Sequence, residues 1–206
     1  MQHNINITME KIFYRETDKI FRLRVPFENL YTSVFLIDVG STKVLVDTAT
    51  YPSDVDSYIL PALERMGYTL SDISSLVLTH KHSDHVGGLS RILSIAPHLE
   101  VITDTREFSE VLCTYPMAGH TRDSIGVLDT RTGTLISGDG LQGAGVGKYR
   151  CYVADKEEYL KTIERIKKDE RIERILFSHA YEPWYKNSII GREKVLDILS
   201  KCTEYV

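Results

Sequence analysis

The sequence predicts an α/β fold in which β-sheets are covered by helices. Short β-like apolar runs fall into two groups, one before residue 80 and one after residue 120. Segments with helical spacing lie between and after these groups, a pattern typical of layered sheet-and-helix domains. Of the 206 residues, 42% are apolar and 26% are charged, which is an ordinary globular mixture with enough apolar side chains for a core. No repeat, low-complexity tract or long linker divides the chain, so we expect one domain over residues 1–206.

The first group of strands opens with a hairpin. Two β-like runs, residues 31–39 and 43–49, flank the turn pair Gly40 and Ser41. Glycine and serine between two such runs are typical of a hairpin turn.

A helix is expected to follow Ser53. Apolar side chains recur there at helical spacing as far as Met66, and Gly67 would end the helix. Pro61 lies inside this pattern and should kink or split the helix, because proline lacks an amide proton and crowds the preceding turn.

A third β-like run, residues 75–79, comes before a second helix. This helix should run from about Asp84 to Ala96, with Pro97 closing it.

The second group of strands repeats the hairpin pattern. Residues 124–130 and 133–139 form two β-like runs joined by a short polar turn. Asp155 and Glu158 form a capping-box pattern before a helix, and a short strand over residues 174–178 comes next. A last helix carries an apolar stripe of Val195, Ile198, Leu199 and Cys202.

Charge and cysteine content exclude several classes of protein. The net charge of −4 offers no electrostatic footprint for a nucleic-acid backbone. No window has the roughly 18 apolar residues of a membrane span, and the opening residues lack the pattern of a signal peptide. The three cysteines are widely spaced and form no disulfide framework. We therefore expect a cytoplasmic protein that binds a small-molecule substrate and neither nucleic acid nor membrane. A homodimer stays open.

Four apolar runs end at a side chain that can bind a ligand. These side chains are Asp47, His80, Asp139 and His179. Binding sites in open α/β folds gather beyond the carboxyl ends of strands, and a strand end is held rigidly. The four residues are therefore expected to converge on one site.

The segment from Leu78 to Leu89 concentrates metal-binding side chains in one loop. Within six positions it holds His80, His82, Asp84 and His85. Imidazole together with carboxylate suits zinc, iron or manganese. Gly87 and Gly88 follow after Val86 and would let backbones pack closely against the loop.

These motifs resemble the metallo-β-lactamase fold superfamily. The segment around His80 is similar to its H-x-H-x-D-H signature, and "MAGHTRDSIG" resembles the family segment that supplies a further histidine, here His120. "LISGD", "LFSHA" and "VLVDTA" resemble the segments that supply Asp139, His179 and Asp47. The resemblance implies a four-layer αββα sandwich. It favours the glyoxalase II-like branch, in a short form without the C-terminal glutathione-binding region.

The chain departs from the family pattern around His120. Ala118 and Gly119 stand where the family has Pro-Gly, and Asp123 stands where it has glycine. Neither departure falls on a metal ligand, so only the shape of this loop is affected.

The resemblance also implies two divalent metal ions, with zinc favoured and iron or manganese as alternatives. The implied ligands are His80, His82 and His120 for one ion, and Asp84, His85 and His179 for the other. Asp139 would bridge the two ions through one carboxylate oxygen, and Asp84 and Asp139 are the candidate catalytic carboxylates. Asp47 would support the site by accepting a hydrogen bond from a ligand histidine or from a loop amide.

The implied activity is hydrolysis, in which metal-bound hydroxide attacks the carbonyl of a small thioester, lactone or related ester or amide. Two alternatives share the fold: an oxidoreductase similar to the mononuclear-iron persulfide dioxygenases, and a phosphodiesterase or nuclease similar to ribonuclease Z. The complete ligand set of the second ion disfavours the first alternative, and the net charge of −4 disfavours the second.

Four aromatic residues flank the implied ligands in sequence and are candidates for a substrate pocket: Tyr149, Tyr152, Tyr181 and Trp184. The last helix carries balanced charge and is a poor anchor for a glutathione carboxylate. Weak or no activity on glutathione thioesters is therefore expected.

Overall fold

The computed structural model describes residues 10–143, 146–147, 152–180, 185–204 and 206. Eleven strands within these ranges form two sheets, one with the order β1-β2-β3-β4-β5-β6 and one with the order β11-β10-β9-β8-β7. The strands are β1 (Tyr14–Arg15), β2 (Ile20–Phe27), β3 (Leu30–Val39), β4 (Thr42–Val46), β5 (Ser75–Val77), β6 (Glu100–Ile102), β7 (Leu112–Pro116), β8 (Ile125–Asp129), β9 (Thr134–Ile136), β10 (Arg174–Leu176) and β11 (Ser188–Ile190). The helices are α1 (Pro52–Asp54), α2 (Leu60–Arg65), α3 (Ser83–Val86), α4 (Leu89–Ile95), α5 (Lys156–Lys168) and α6 (Arg192–Glu204).

Each sheet combines antiparallel and parallel pairs. In the first sheet, β2, β3 and β4 pair antiparallel, whereas β4, β5 and β6 pair parallel. In the second sheet, β9 and β10 pair parallel between antiparallel neighbours. The parallel strands therefore place the carboxyl ends of β4 and β5, and of β9 and β10, side by side.

The side chains of each strand alternate between the two faces of its sheet, and the apolar core therefore forms three layers. On β3 and β4, Leu36 and Leu45 pack with the helical residues Ile59 and Leu63, on the outer side of the first sheet. A second layer joins the outer side of the other sheet to α5 and α6, and includes Leu128, Leu135, Ile163, Ile175 and Leu199. The layer between the two sheets contains Phe35, Ile37, Val46, Val77, Val127, Ile136 and Leu176. Successive side chains of a strand point to opposite faces, so each sheet buries both faces and the layers run αββα, as expected.

The first helical segment is split at the expected proline. A π-helical segment, Val55–Ile59, separates α1 from α2, and Pro61 lies in the first turn of α2. Proline is tolerated there because the amide protons of a first turn have no intrahelical acceptor. Gly67, at φ +78°, follows the end of the helix.

One expected helix was wrong in its extent. The segment from Asp84 to Ala96 forms two short helices, α3 and α4, broken at Gly87 and Gly88. The reason is the close contact of both glycines with a neighbouring loop, described below.

Other expected elements are confirmed. β3 and β4 form the first hairpin around Gly40, and β8 and β9 form the second. The Asp155 side chain accepts a hydrogen bond from the Glu158 amide at the start of α5. The apolar stripe of α6 is buried. No helix within the described ranges is long and apolar enough to cross a membrane.

Candidate metal centre

The candidate ligands lie where strands of both sheets end. His80, Asp139 and His179 each stand three positions beyond the last residue of their strands, β5, β9 and β10. Asp84 and His85 lie on α3, directly after the same loop, and His120 follows β7. Parallel neighbours end at the same edge, which brings these side chains together.

Seven side chains form one continuous cluster. Three overlapping groups have ligand atoms within 4.8 Å of one another: His80 with His82 and His120, His80 with His85 and Asp139, and Asp84 with His85 and His179. All but His82 are buried. So many buried imidazole and carboxylate groups are costly unless a cation compensates them, and the cluster can therefore hold metal.

Two histidine rings of the cluster face each other with their lone pairs. The Nδ1 of His85 donates to Oδ2 of Asp47 at 2.7 Å, and the Nδ1 of His179 donates to the carbonyl of Tyr31 at 2.7 Å. Because carboxylate and carbonyl oxygens only accept, each proton is assigned to Nδ1, and each Nε2 carries a lone pair. The two Nε2 atoms are 3.1 Å apart. Such a contact requires a cation, either a proton shared by the pair or a metal ion.

A third ring points an unpartnered nitrogen into the cluster. Thr79 Oγ1 donates to Asp47 Oδ2 at 2.9 Å and can therefore accept from Nδ1 of His80, which lies 3.1 Å away. The Nε2 of His80 is buried and has no hydrogen-bond partner among the described residues. Buried polar atoms are rarely left unpaired, so this nitrogen also fits a metal ligand.

The remaining groups complete the arrangement. The Nδ1 of His120 lies 2.7 Å from the carbonyl of Tyr152, and its Nε2 lies 3.0 Å from Nδ1 of His82. Asp139 lies between the two groups of ligands: its Oδ1 is 3.2 Å from Nε2 of His179, and its Oδ2 is 3.7 Å from Nε2 of His120. The structure thus turns a different carboxylate oxygen to each group, and the single-oxygen bridge stays a prediction.

The surroundings shift the pKa of two rings in opposite directions. Burial alone would lower the pKa of His85, but the carboxylates of Asp47 and Asp139 outweigh it and raise that pKa to about 9. Burial and the nearby positive charge of His85 lower the pKa of His80 far below its usual range. Without metal, the cluster therefore keeps a proton on His85 and leaves His80 neutral.

Asp47 holds the loop and the ring together. Its Oδ1 accepts from the Thr79 amide at 2.8 Å, while its Oδ2 accepts from Thr79 Oγ1 and from His85. The residue is fully buried and has φ +63°, in the left-handed region. Asp tolerates this conformation better than most residues. Both kinds of hydrogen bond expected for Asp47 are present, one from a candidate ligand histidine and one from a loop amide.

The two glycines after the histidines allow the close approach of another loop. A Cβ on Gly87 would lie 1.7 Å from the Thr50 carbonyl oxygen, and one on Gly88 would lie 2.3 Å from the Thr48 carbonyl oxygen. Thr48 in turn donates from its amide and its hydroxyl to the carbonyl of His85. The loop that follows Asp47 is thereby fixed against α3.

The candidate pocket residues are only partly described. The ring of Tyr152 is 5.8 Å from that of His120 and 6.5 Å from that of His82, and 56% of Tyr152 is exposed. Tyr149, Tyr181 and Trp184 lie outside the described residues.

Sequence reasoning missed two neighbours of His179. The ring of Phe27, at the end of β2, is 5.7 Å from the ring of His179, and Tyr31 contacts that ring through its backbone carbonyl. An aromatic residue at a strand end is a weak signal, and a backbone acceptor leaves no trace in residue type.

Comparisons with known proteins agree with this architecture. Residues 28–110 match the family model of the metallo-beta-lactamase superfamily. The chain is 30% identical over 165 residues to a beta-lactamase-like protein 2 homolog of Drosophila melanogaster, covering 66% of this chain and 54% of that protein. It is 26% identical over 138 residues to a hydroxyacylglutathione hydrolase of Vibrio campbellii, covering 59% of this chain and 53% of that enzyme. The chain thus spans about half the length of these curated relatives.

A solved structure extends the likeness over almost the whole fold. The metallo-beta-lactamase FIM-1 from Pseudomonas aeruginosa, in its mono-zinc form, matches with a TM-score of 0.68 at 20% identity, covering 95% of this chain and 97% of that one. At this identity the likeness shows the fold alone. Together with the family match over residues 28–110 and the histidine–aspartate cluster, this likeness shows that the chain has the metallo-β-lactamase fold and that residues 28–110 carry the resemblance to the superfamily.

Proposed function

We propose that the protein is a metal-dependent hydrolase that cleaves a small thioester, lactone or related ester or amide. The observation that carries the proposal is the pair of Nε2 atoms of His85 and His179, which face each other at 3.1 Å. Both rings direct their Nδ1 protons outward, so both lone pairs are available to a cation. The buried Nε2 of His80 points to the same chemistry.

The donor set favours two divalent metal ions, with zinc as the first candidate. His80, His82 and His120 would hold one ion, Asp84, His85 and His179 would hold the other, and Asp139 would contact both. Bound there, the ions would lower the pKa of a water molecule and polarise the substrate carbonyl. Imidazole-rich sites suit zinc. The Pseudomonas structure is a mono-zinc form, so the identity and the number of the ions in this chain are the first quantities to measure.

The chain's own groups orient the ligands and keep out bulk water. Asp47 and the Tyr31 carbonyl hold the Nδ1 protons of His85 and His179, which keeps each Nε2 free for a metal. The cluster is buried except at His82, which is half-buried. In such a site, oriented charges act more strongly than they do in water.

The substrate is proposed to approach beside Tyr152. Its exposed aromatic ring stands next to His82 and His120 and provides an apolar wall for an acyl group. Pockets for small molecules commonly combine such a wall with a few polar groups. The Vibrio relative, a hydroxyacylglutathione hydrolase, makes thioesters the first class of substrate to test.

The test combines metal analysis with a substrate panel. Protein purified without chelator is analysed for zinc, iron and manganese, and is then assayed on simple thioesters, lactones and phosphodiesters. We expect turnover of a thioester or lactone, loss of activity with chelator and recovery with added zinc. One iron ion per chain without hydrolysis would favour the oxidoreductase alternative, and turnover confined to phosphodiesters would favour the nuclease alternative.

A further inference from the structure

Arg22, on β2, is a buried arginine that contacts the chain segment leading to His179. Its side chain has no solvent exposure. The Nε donates to Oε1 of Glu16 at 2.6 Å, and Nη1 donates to Oγ of Ser33 at 3.0 Å. The guanidinium also lies 4.7 Å from the centre of the Phe35 ring. Burying a guanidinium is costly unless its donors are satisfied, and here acceptor oxygens surround the charged group.

Two further acceptors of Arg22 lie directly beside strands of the other sheet. Its Nη1 donates to the carbonyl of Phe177 at 2.6 Å, and its Nη2 donates to the carbonyl of Asn187 at 2.9 Å. The amide of Phe177 also donates to the Asn187 carbonyl, so both residues lie where the β10–β11 ladder ends. Arg22 therefore holds both ends of the connection that contains His179.

The segment from Phe177, whose carbonyl Arg22 binds, to His179 is held against β3 by two hydrogen bonds. The Ser178 carbonyl accepts from the Ser33 amide at 2.8 Å, and His179 donates from Nδ1 to the Tyr31 carbonyl. Hydrogen bonds and the short backbone segment 177–179 thus link Arg22 to the His179 ring. None of the contacts described for Arg22 reaches a metal ligand directly.

We propose that Arg22 is a positioning residue for His179. Its hydrogen bonds to the carbonyls of Phe177 and Asn187 set the affinity of the second metal ion, the one held by Asp84, His85 and His179. The inference rests on the metal ions of the proposed function. A ligand must be held within about 0.5 Å of its working position, and His179 is only two residues beyond the clamped Phe177 carbonyl. A shift of this carbonyl would therefore move the Nε2 of His179 away from that of His85.

The test compares Arg22→Met and Arg22→Lys with the control Arg192→Met. Arg192 also donates to three backbone carbonyls, at the end of α5 and the turn after it, and it lies on the helix side of the second sheet. Zinc is titrated in competition with a chromophoric chelator, which resolves the two binding steps. We expect Arg22→Met to weaken the second step about 10–100-fold, as loss of groups that orient ligands does, and to leave the first step unchanged. Lysine keeps the positive charge but not the several fixed donors of the guanidinium. The second-step zinc affinity of Arg22→Lys should therefore lie between those of the unmodified chain and Arg22→Met.

A second readout is independent of metal. The Nδ1 proton of His179 should give a downfield proton resonance in the metal-free chain, because it donates to the Tyr31 carbonyl at 2.7 Å. We expect Arg22→Met to shift or broaden this resonance and Arg192→Met to leave it in place. If Arg22→Met does not fold, Arg22→Lys is judged by the same two readouts.

The outcomes separate this inference from the proposed function. Zinc binding that depends on Arg22 without any hydrolysis would support the inference and contradict the function. Equal weakening of both zinc steps, or an unchanged second step with an unchanged His179 resonance, would overturn the inference. Absence of a second zinc step in the unmodified chain would overturn it as well.

Discussion

Replacing Asp47 with asparagine should weaken zinc binding by moving one proton. Asp47 accepts three hydrogen bonds, two from Thr79 and one from Nδ1 of His85. Asparagine has the same shape but only one acceptor oxygen, so its amide group must face at least one of these donors. If the asparagine oxygen accepts the hydrogen bond from the Thr79 amide, the asparagine NH₂ group lies against Nδ1 of His85. The proton of the ring then moves to Nε2, where the metal would bind.

Loss of a group that orients a metal ligand lowers metal affinity about 10–100-fold, or about 1.4–2.7 kcal/mol. Asparagine is a better test than alanine, because position 47 has φ +63° and asparagine tolerates the left-handed region. The assay is a zinc titration in competition with a chromophoric chelator. A matched control is Asp129→Asn, since Asp129 is equally buried but holds the turn with Arg131 and Thr132. If Asp47→Asn binds zinc as tightly as the unmodified chain does, the proposed role of Asp47 is wrong.

Three other predictions follow from the same geometry. Asp139→Ala should lose the second metal and nearly all turnover, while circular dichroism and the melting transition remain those of a folded chain. Gly87→Ala should destabilise the fold by about 1–3 kcal/mol or more in urea unfolding, because the new Cβ would lie 1.7 Å from the Thr50 carbonyl oxygen. Gly40→Ala, which meets no atom within 4 Å but has φ +81°, should cost only about 1–2 kcal/mol. The metal-free chain should lose stability as pH rises from about 6.5 to about 9. The pKa of His85 is raised in the folded state, so protonation of His85 stabilises the fold fully below the unfolded-state pKa of about 6.5. This stabilisation is lost as pH rises through the folded-state pKa of about 9. Thermal melts across this range would reveal it, and a flat profile would contradict the charged His85.

The strand-end residues could be found from sequence because their positions follow from backbone geometry. An apolar run that stops at His80, Asp139 or His179 already places the side chain at a sheet edge, and parallel pairing then brings the edges together. The two glycines could likewise be associated with close packing. What could not be predicted was the partner of these glycines: the carbonyls of Thr48 and Thr50, which lie against the break between α3 and α4 at Gly87 and Gly88.

The supporting contacts were beyond sequence reasoning for a different reason. Tyr31 and Phe177 act through backbone carbonyls, which every residue has, so nothing in their side chains marks them. Arg22 lies in an alternating strand where a charged residue ordinarily faces water, and only the tertiary structure reveals that it is buried. The single-domain expectation and the individual metal-ligand assignments stay predictions.

The most direct test of the account is the zinc stoichiometry of the purified chain and of its His179→Ala variant. We expect about two zinc ions per unmodified chain in elemental analysis, and about one after His179→Ala, because one ligand group loses a member while the other stays complete. One ion per chain in both proteins would contradict the two-metal site and the function proposed from it.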